Sequence, residues 1–69
     1  MTFYIKAEQI NDYLIEIGQE KFERGYFVTL AKRITECRYQ GISRTYYDSL
    51  QKAFKRYNNL KYKISRGTI

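Results

Sequence analysis

The feature that most constrains this chain is its small size, with no covalent cross-link to support the fold. A chain of 69 residues hides only about 60% of its unfolded surface, so its core must be compact and rich in large side chains. A single cysteine excludes an internal disulfide, and the absence of histidine excludes a common zinc site. Eight tyrosines and four phenylalanines supply the apolar surface instead. We therefore expect one domain, residues 1–69, with an aromatic core.

Charge is distributed unevenly along the chain, whose formal net charge is +6. Residues 1–23 hold two lysines and five acidic residues, a net charge of −3. Residues 24–69 hold eleven basic and two acidic residues, a net charge of +9. A basic segment of this kind is typical of proteins that bind a polyanion, commonly nucleic acid. The alternative is an ordinary solvated surface that serves solubility.

Apolar residues recur at helical spacing in the first half of the chain. Near its start these are Ile10, Tyr13, Leu14 and Ile17. Gly18 follows as a typical C-cap, so the pattern predicts helix 1 over about residues 6–17. On a helical wheel, residues 25–39 divide into an apolar and a polar side, which predicts helix 2. Cys37 falls on the apolar side, so we expect it to be buried.

The third segment has the clearest helical pattern. Ser43 is a suitable N-cap, and Ile42 and Tyr47 stand at the spacing of a hydrophobic staple. Helix 3 is therefore predicted to begin at Arg44, with one apolar and one mostly cationic face. The second face comprises Arg44, Asp48, Lys52, Lys55 and Arg56. Together, the three segments predict an all-α fold, a small three-helix bundle.

The end of the chain fits two structures. Leu60, Tyr62 and Ile64 alternate as in a strand, yet Ile64 also extends the apolar stripe of helix 3. We favour a continued helix. Because the beginning of the chain also alternates, the alternative is an α+β fold with a two-stranded ribbon of residues 2–6 and 60–64.

The sequence CRYQGISRTYYDSL combines a small residue four positions before a turn glycine with an apolar residue, a serine cap and further apolar residues after it. These positions are Cys37, Gly41, Ile42, Ser43, Tyr47 and Leu50. In this pattern residues 37–50 resemble the helix-turn-helix of small bacterial and phage regulators. The resemblance implies a helix 2/helix 3 corner that places helix 3 in the major groove of duplex DNA. It also implies a regulator or replication accessory of a phage or mobile element, with a homodimer as an open alternative.

Candidate binding residues follow from this hypothesis. Arg44 and Thr45, at the start of helix 3, would contact base edges. The cations that would contact phosphates are Lys52, Lys55 and Arg56 on helix 3 and Lys32, Arg33 and Arg38 on helix 2. Single-stranded nucleic acid is a second possible ligand, for which Tyr39 and Tyr62 are the main stacking candidates and Tyr46 a weaker one. For each residue the alternative is a solvated cation or a core aromatic ring.

Signatures of catalysis are absent from the sequence. It has no histidine, no cysteine pair, no phosphate-binding glycine loop and no nucleophile elbow, so we expect a non-enzyme without metal or cofactor. Without a signal peptide or an apolar run of about 20 residues, the expected location is cytoplasmic, with no membrane partner. The rival function is a protein-binding module, a subunit or inhibitor that docks on a larger replication or transcription protein.

Overall fold

The computed structural model of the protein describes residues 2–20 and 25–69. These residues form a four-stranded sheet followed by a helix. The strands are β1 (Thr2–Ile10), β2 (Tyr13–Glu20), β3 (Tyr26–Thr35) and β4 (Arg38–Tyr47), and the helix is α1 (Leu50–Ser65). All neighbouring strands are antiparallel, in the order β1-β2-β3-β4. The sheet is therefore a meander, and α1 packs across one of its faces.

The predicted all-α three-helix bundle is wrong. Residues 6–17 form the end of β1, a turn and the first part of β2 instead of helix 1. Residues 25–39 contain β3, the turn after it and the first residues of β4, instead of helix 2. The α+β class of the alternative is confirmed. Within that class, residues 2–6 pair with β2, and residues 60–64 belong to α1.

The predicted helix-turn-helix is also wrong, because the described residues contain a single helix and it follows the sheet. Residues 37–50 comprise a turn residue, β4 and the start of α1. The segment from Arg44 to Tyr47 pairs with β3 and satisfies its backbone hydrogen bonds there. The helix begins at Leu50, and its N-cap is Ser49, whose side chain accepts a hydrogen bond of 3.2 Å from the Lys52 amide.

Two tight turns determine how the strands pair. Asn11 and Asp12 join β1 to β2, and Asn11 has a φ of 54°, a left-handed conformation that asparagine tolerates. Glu36 and Cys37 join β3 to β4. Cys37 is consequently exposed, contrary to the prediction of a buried residue. Connections of two residues leave little freedom in the register of the flanking strands.

The core lies between α1 and the middle of the sheet. The helix contributes a buried stripe of Ala53, Tyr57, Leu60 and Ile64. Alternate positions of β2 and β3 contribute Ile15, Ile17, Val28 and Leu30. The helix continues past Tyr57 as predicted, since Leu60 and Ile64 extend this stripe. We call the sheet side under α1 the covered face and the opposite side the open face.

Gly18 allows close packing on the open face in the middle of β2. A Cβ atom at this position would overlap the Phe3 carbonyl oxygen and lie 2.7 Å from Cζ of Phe27. Glycine in a strand interior often marks such a close approach. The residue predicted to cap helix 1 therefore makes room for an aromatic ring within the sheet.

We predict that Gly18→Ala destabilises the fold by about 1–3 kcal/mol, because the added methyl group must displace a backbone oxygen or the Phe27 ring. Gly41→Ala is the matched control, since a Cβ atom there would have no heavy atom within 4 Å. Urea unfolding of both variants measures the difference. Equal unfolding midpoints for the two variants would contradict this packing.

An ion-pair cluster connects β1 to α1. The Glu8 carboxylate lies 3.0 Å from Nζ of Lys6 and 3.1 Å from Nζ of Lys61. Its neighbours, Lys6 foremost, lower the pKa of Glu8 from 4.5 to about 2. Tyr57 has a buried hydroxyl that makes no hydrogen bond of regular geometry with the described residues. Burial raises the pKa of this hydroxyl, and the nearby Glu8 charge raises it further.

The lowered pKa of Glu8 predicts a specific loss of stability in acid. Because the folded pKa is about 2 and the ordinary value is 4.5, the contribution of Glu8 is present above pH 4.5 and is lost as the pH falls toward 2. Glu8→Gln should therefore be less stable at neutral pH and lose less stability over this interval. Urea unfolding at several pH values tests this, and identical pH profiles for the two proteins would refute it.

Candidate functional site

A row of residues crosses the open face of the sheet from β1 to β4. Tyr4 pairs with Gly18, Gly18 with Phe27, and Phe27 with Tyr46. The Phe27 ring meets Tyr4 edge-on at a centroid distance of 5.9 Å and Tyr46 at a tilt, 6.5 Å away. Gly18 leaves the space in which Phe27 lies. We call Tyr4, Phe27 and Tyr46 the aromatic row.

Arg44 covers the central ring of the aromatic row. Its guanidinium carbon lies 4.4 Å from the Phe27 centroid, a cation–π distance. Nε of Arg44 donates to Oγ1 of Thr29 at 3.0 Å, and Nη1 lies 3.5 Å from a carboxylate oxygen of Glu20. These contacts hold the guanidinium over the ring. They help explain how Phe27 is fully buried although it lies on the face away from α1.

The two outer rings of the row remain open to solvent. Tyr4 is 58% exposed and Tyr46 is 54% exposed. Single exposed aromatic residues are common, but here two are aligned on either side of one buried ring. The sheet thus presents two aromatic rings with an arginine between them.

The two main stacking candidates lie on different surfaces. Tyr39 pairs with Arg33 and shares the open face, where its hydroxyl donates to Oε1 of Gln9 at 2.9 Å. Tyr62 lies on α1 and is 61% exposed, and its ring is 5.4 Å from the guanidinium of Arg66. Tyr39 therefore belongs to the surface that carries the aromatic row, whereas Tyr62 does not.

Of the four cations predicted on helix 3, all but Arg44 lie on α1, where they line a groove. Lys52, Lys55 and Arg56 surround it together with Tyr47 and Asn59, and its volume is about 320 Å³. These five residues define what we call the cationic groove. Nζ of Lys52 lies 3.0 Å from Asp48, a pair in which both side chains are mostly exposed and which contributes little stability.

The remaining predicted residues are dispersed. Arg44 is on the open face, but Thr45 points to the other side of the sheet, where it pairs with Val28. Lys32 and Arg33 occupy consecutive positions of β3, so their side chains point to opposite faces, and Arg38 begins β4. The structure therefore divides the predicted set among the two faces of the sheet, α1 and the turn between β3 and β4.

Sequence reasoning missed Tyr4 and the role of Phe27. Phe27 falls within the segment predicted as helix 2, and Tyr4 is not among the candidate residues. The signal was present in the alternation of the first strand, since Phe3 and Ile5 on one side leave Tyr4 on the other. Their alignment depends on strand register, however, which only the structure supplies.

Comparisons with protein families, with curated proteins and with solved structures found no match to this chain. Among the described residues, no cluster of three or more His, Cys, Asp or Glu could hold a metal ion. No helix in that part of the chain is both long and apolar enough to cross a bilayer.

Proposed function

We propose that this protein binds single-stranded nucleic acid on the open face of its sheet. The observation that carries the proposal is the aromatic row, with Tyr4 and Tyr46 exposed on either side of the pair formed by Phe27 and Arg44. Bases stack on such rings whatever their sequence, each contributing about 1–3 kcal/mol. Unpaired bases are required, since bases inside a duplex present their edges and not their faces.

Charge supports a nucleic-acid ligand over an uncharged one. The net charge is +6, and α1 carries only basic charges, on Lys52, Lys55, Arg56, Lys61 and Lys63. A polyanion is attracted to such a molecule and releases counterions on binding, so its affinity falls as salt rises. The proposed setting is replication or transcription in a cytoplasm. DNA and RNA share the stacking chemistry.

The aromatic row predicts which tyrosines matter. Tyr4→Ala and Tyr46→Ala should each weaken binding to a labelled single strand of about 12 nucleotides by roughly 5- to 150-fold, since each removes one stacking surface. Tyr62→Ala is the matched control, because it removes an equally exposed ring from α1. Fluorescence anisotropy at low and moderate salt measures the affinities, and thermal unfolding confirms that the variants fold.

The same experiment includes a duplex of the same length. We expect the duplex to bind more weakly, because its bases are not free to stack. Three results would contradict the proposal: no binding of the wild type at low salt, equal losses for the three tyrosine variants, or tighter binding of the duplex. The last result would favour contact between the cations of α1 and duplex DNA.

A second candidate function is a protein-binding module that docks on a larger nucleic-acid enzyme. The observation that favours it is β4, an edge strand exposed along almost its whole length, with Ile42 half-exposed at a bulge. Edge strands can accept an added strand from a partner. The two functions predict different results. For a protein-binding module, the wild-type protein would not bind oligonucleotides, and the Tyr4→Ala and Tyr46→Ala variants would still bind the protein partner.

A further inference from the structure

The open face has aromatic surface but balanced charge. Arg33 and Arg44 lie on it, and so do Glu16 and Glu20, as their positions in the register show. Arg44 is also engaged with Glu20 and Thr29. Among the described residues, a nucleic-acid strand whose bases stack on this face therefore finds few cations there to neutralise its phosphates. The excess basic charge of the described residues lies on α1 instead.

The cationic groove adjoins one end of the aromatic row. Tyr46 and Tyr47 are consecutive residues at the end of β4, so their side chains point to opposite faces of the sheet. Tyr46 touches Phe27 on the open face, while Tyr47 packs beside the core and lines the cationic groove. Because β4 is an edge strand, Tyr46 and Tyr47 lie at one border of the sheet, with the aromatic row on one side and the cationic groove on the other.

From these positions we infer that the cationic groove binds the phosphodiester backbone of the same strand whose bases stack on the aromatic row. The nucleic-acid strand crosses the edge of the sheet at the end of β4, and Lys55 and Arg56 contact its phosphates. This inference rests on the proposed function and extends it, because it defines the path of the nucleic-acid strand over the protein and a minimum length for that strand. The aromatic row spans four β-strands, about 14 Å. Only a nucleic-acid strand longer than the row can therefore reach both the row and the cationic groove.

Charge-matched variants test the inference. Lys55→Gln with Arg56→Gln removes two charges from the groove, whereas Lys63→Gln with Arg66→Gln removes two charges from the other end of the same helical region. With a single strand of about 12 nucleotides, we expect the groove variant to bind at least about tenfold more weakly than the control variant. Its slope of log affinity against log salt should fall by about 1.4, since each phosphate contact contributes about 0.7.

Oligonucleotide length separates this inference from general electrostatics. A strand of about 4 nucleotides fills only the aromatic row, so the two double variants should bind it equally. Equal affinities of the double variants for the longer strand as well would overturn the inference. A groove variant that weakens the short strand as much as the long one would also overturn it, because the cations would then act at the row itself.

Two further arms complete the test. Inorganic phosphate is added at the ionic strength of a chloride control, and we expect it to compete no better than chloride. Strong competition by phosphate with both oligonucleotide lengths would overturn the inference by indicating a site for the free anion. A different result would contradict the proposed function. The wild-type protein would then bind neither oligonucleotide, or Tyr4→Ala would leave its binding unchanged.

Discussion

The close contact between the Phe27 ring and the backbone of Gly18 is the interaction on which the rest of this structure depends. It places a large ring on the face that no helix covers and buries that ring completely. Tyr4, Tyr46 and Arg44 complete its surroundings, and in doing so they become an aligned, exposed group. Packing that stabilises the sheet thus also creates the surface to which we assign binding. A side chain at Gly18 would disturb both.

The sequence predicted the helix over residues 50–64, although not its start at Leu50, and it predicted the rest of the fold wrongly, for an identifiable physical reason. The core side of α1 is a single apolar stripe with cations opposite, which only a helix explains well. In β3, by contrast, both sheet faces carry apolar residues: Leu30 lies on the covered face, and Phe27 and Ala31 lie on the open face. A strand that is apolar on both faces fits a helical wheel equally well. The Asn11–Asp12 turn was the missed signal for a hairpin.

The candidate site could be predicted only in its parts. Composition indicated a basic, tyrosine-rich protein, and Lys52, Lys55 and Arg56 were predicted on the polar side of a helix, where they lie. The polyanion partner stays a prediction. Which aromatic rings stand together depends on the cross-strand register, which a one-residue shift would invert. That is why Tyr4 was not predicted. Tyr62, although exposed, lies on α1 and therefore away from the row. The aromatic row and the cationic groove lie next to each other at the end of β4.

The central claim is that nucleic-acid bases stack on Tyr4 and Tyr46. The most direct measurement is an NMR titration of the aromatic rings with a single-stranded oligonucleotide, following each assigned tyrosine. We predict large ring-current shifts for Tyr4 and Tyr46 that saturate together, with little change for Tyr62. Saturating binding in which the Tyr4 and Tyr46 signals stay in place would contradict the account, because the ligand would then occupy another surface.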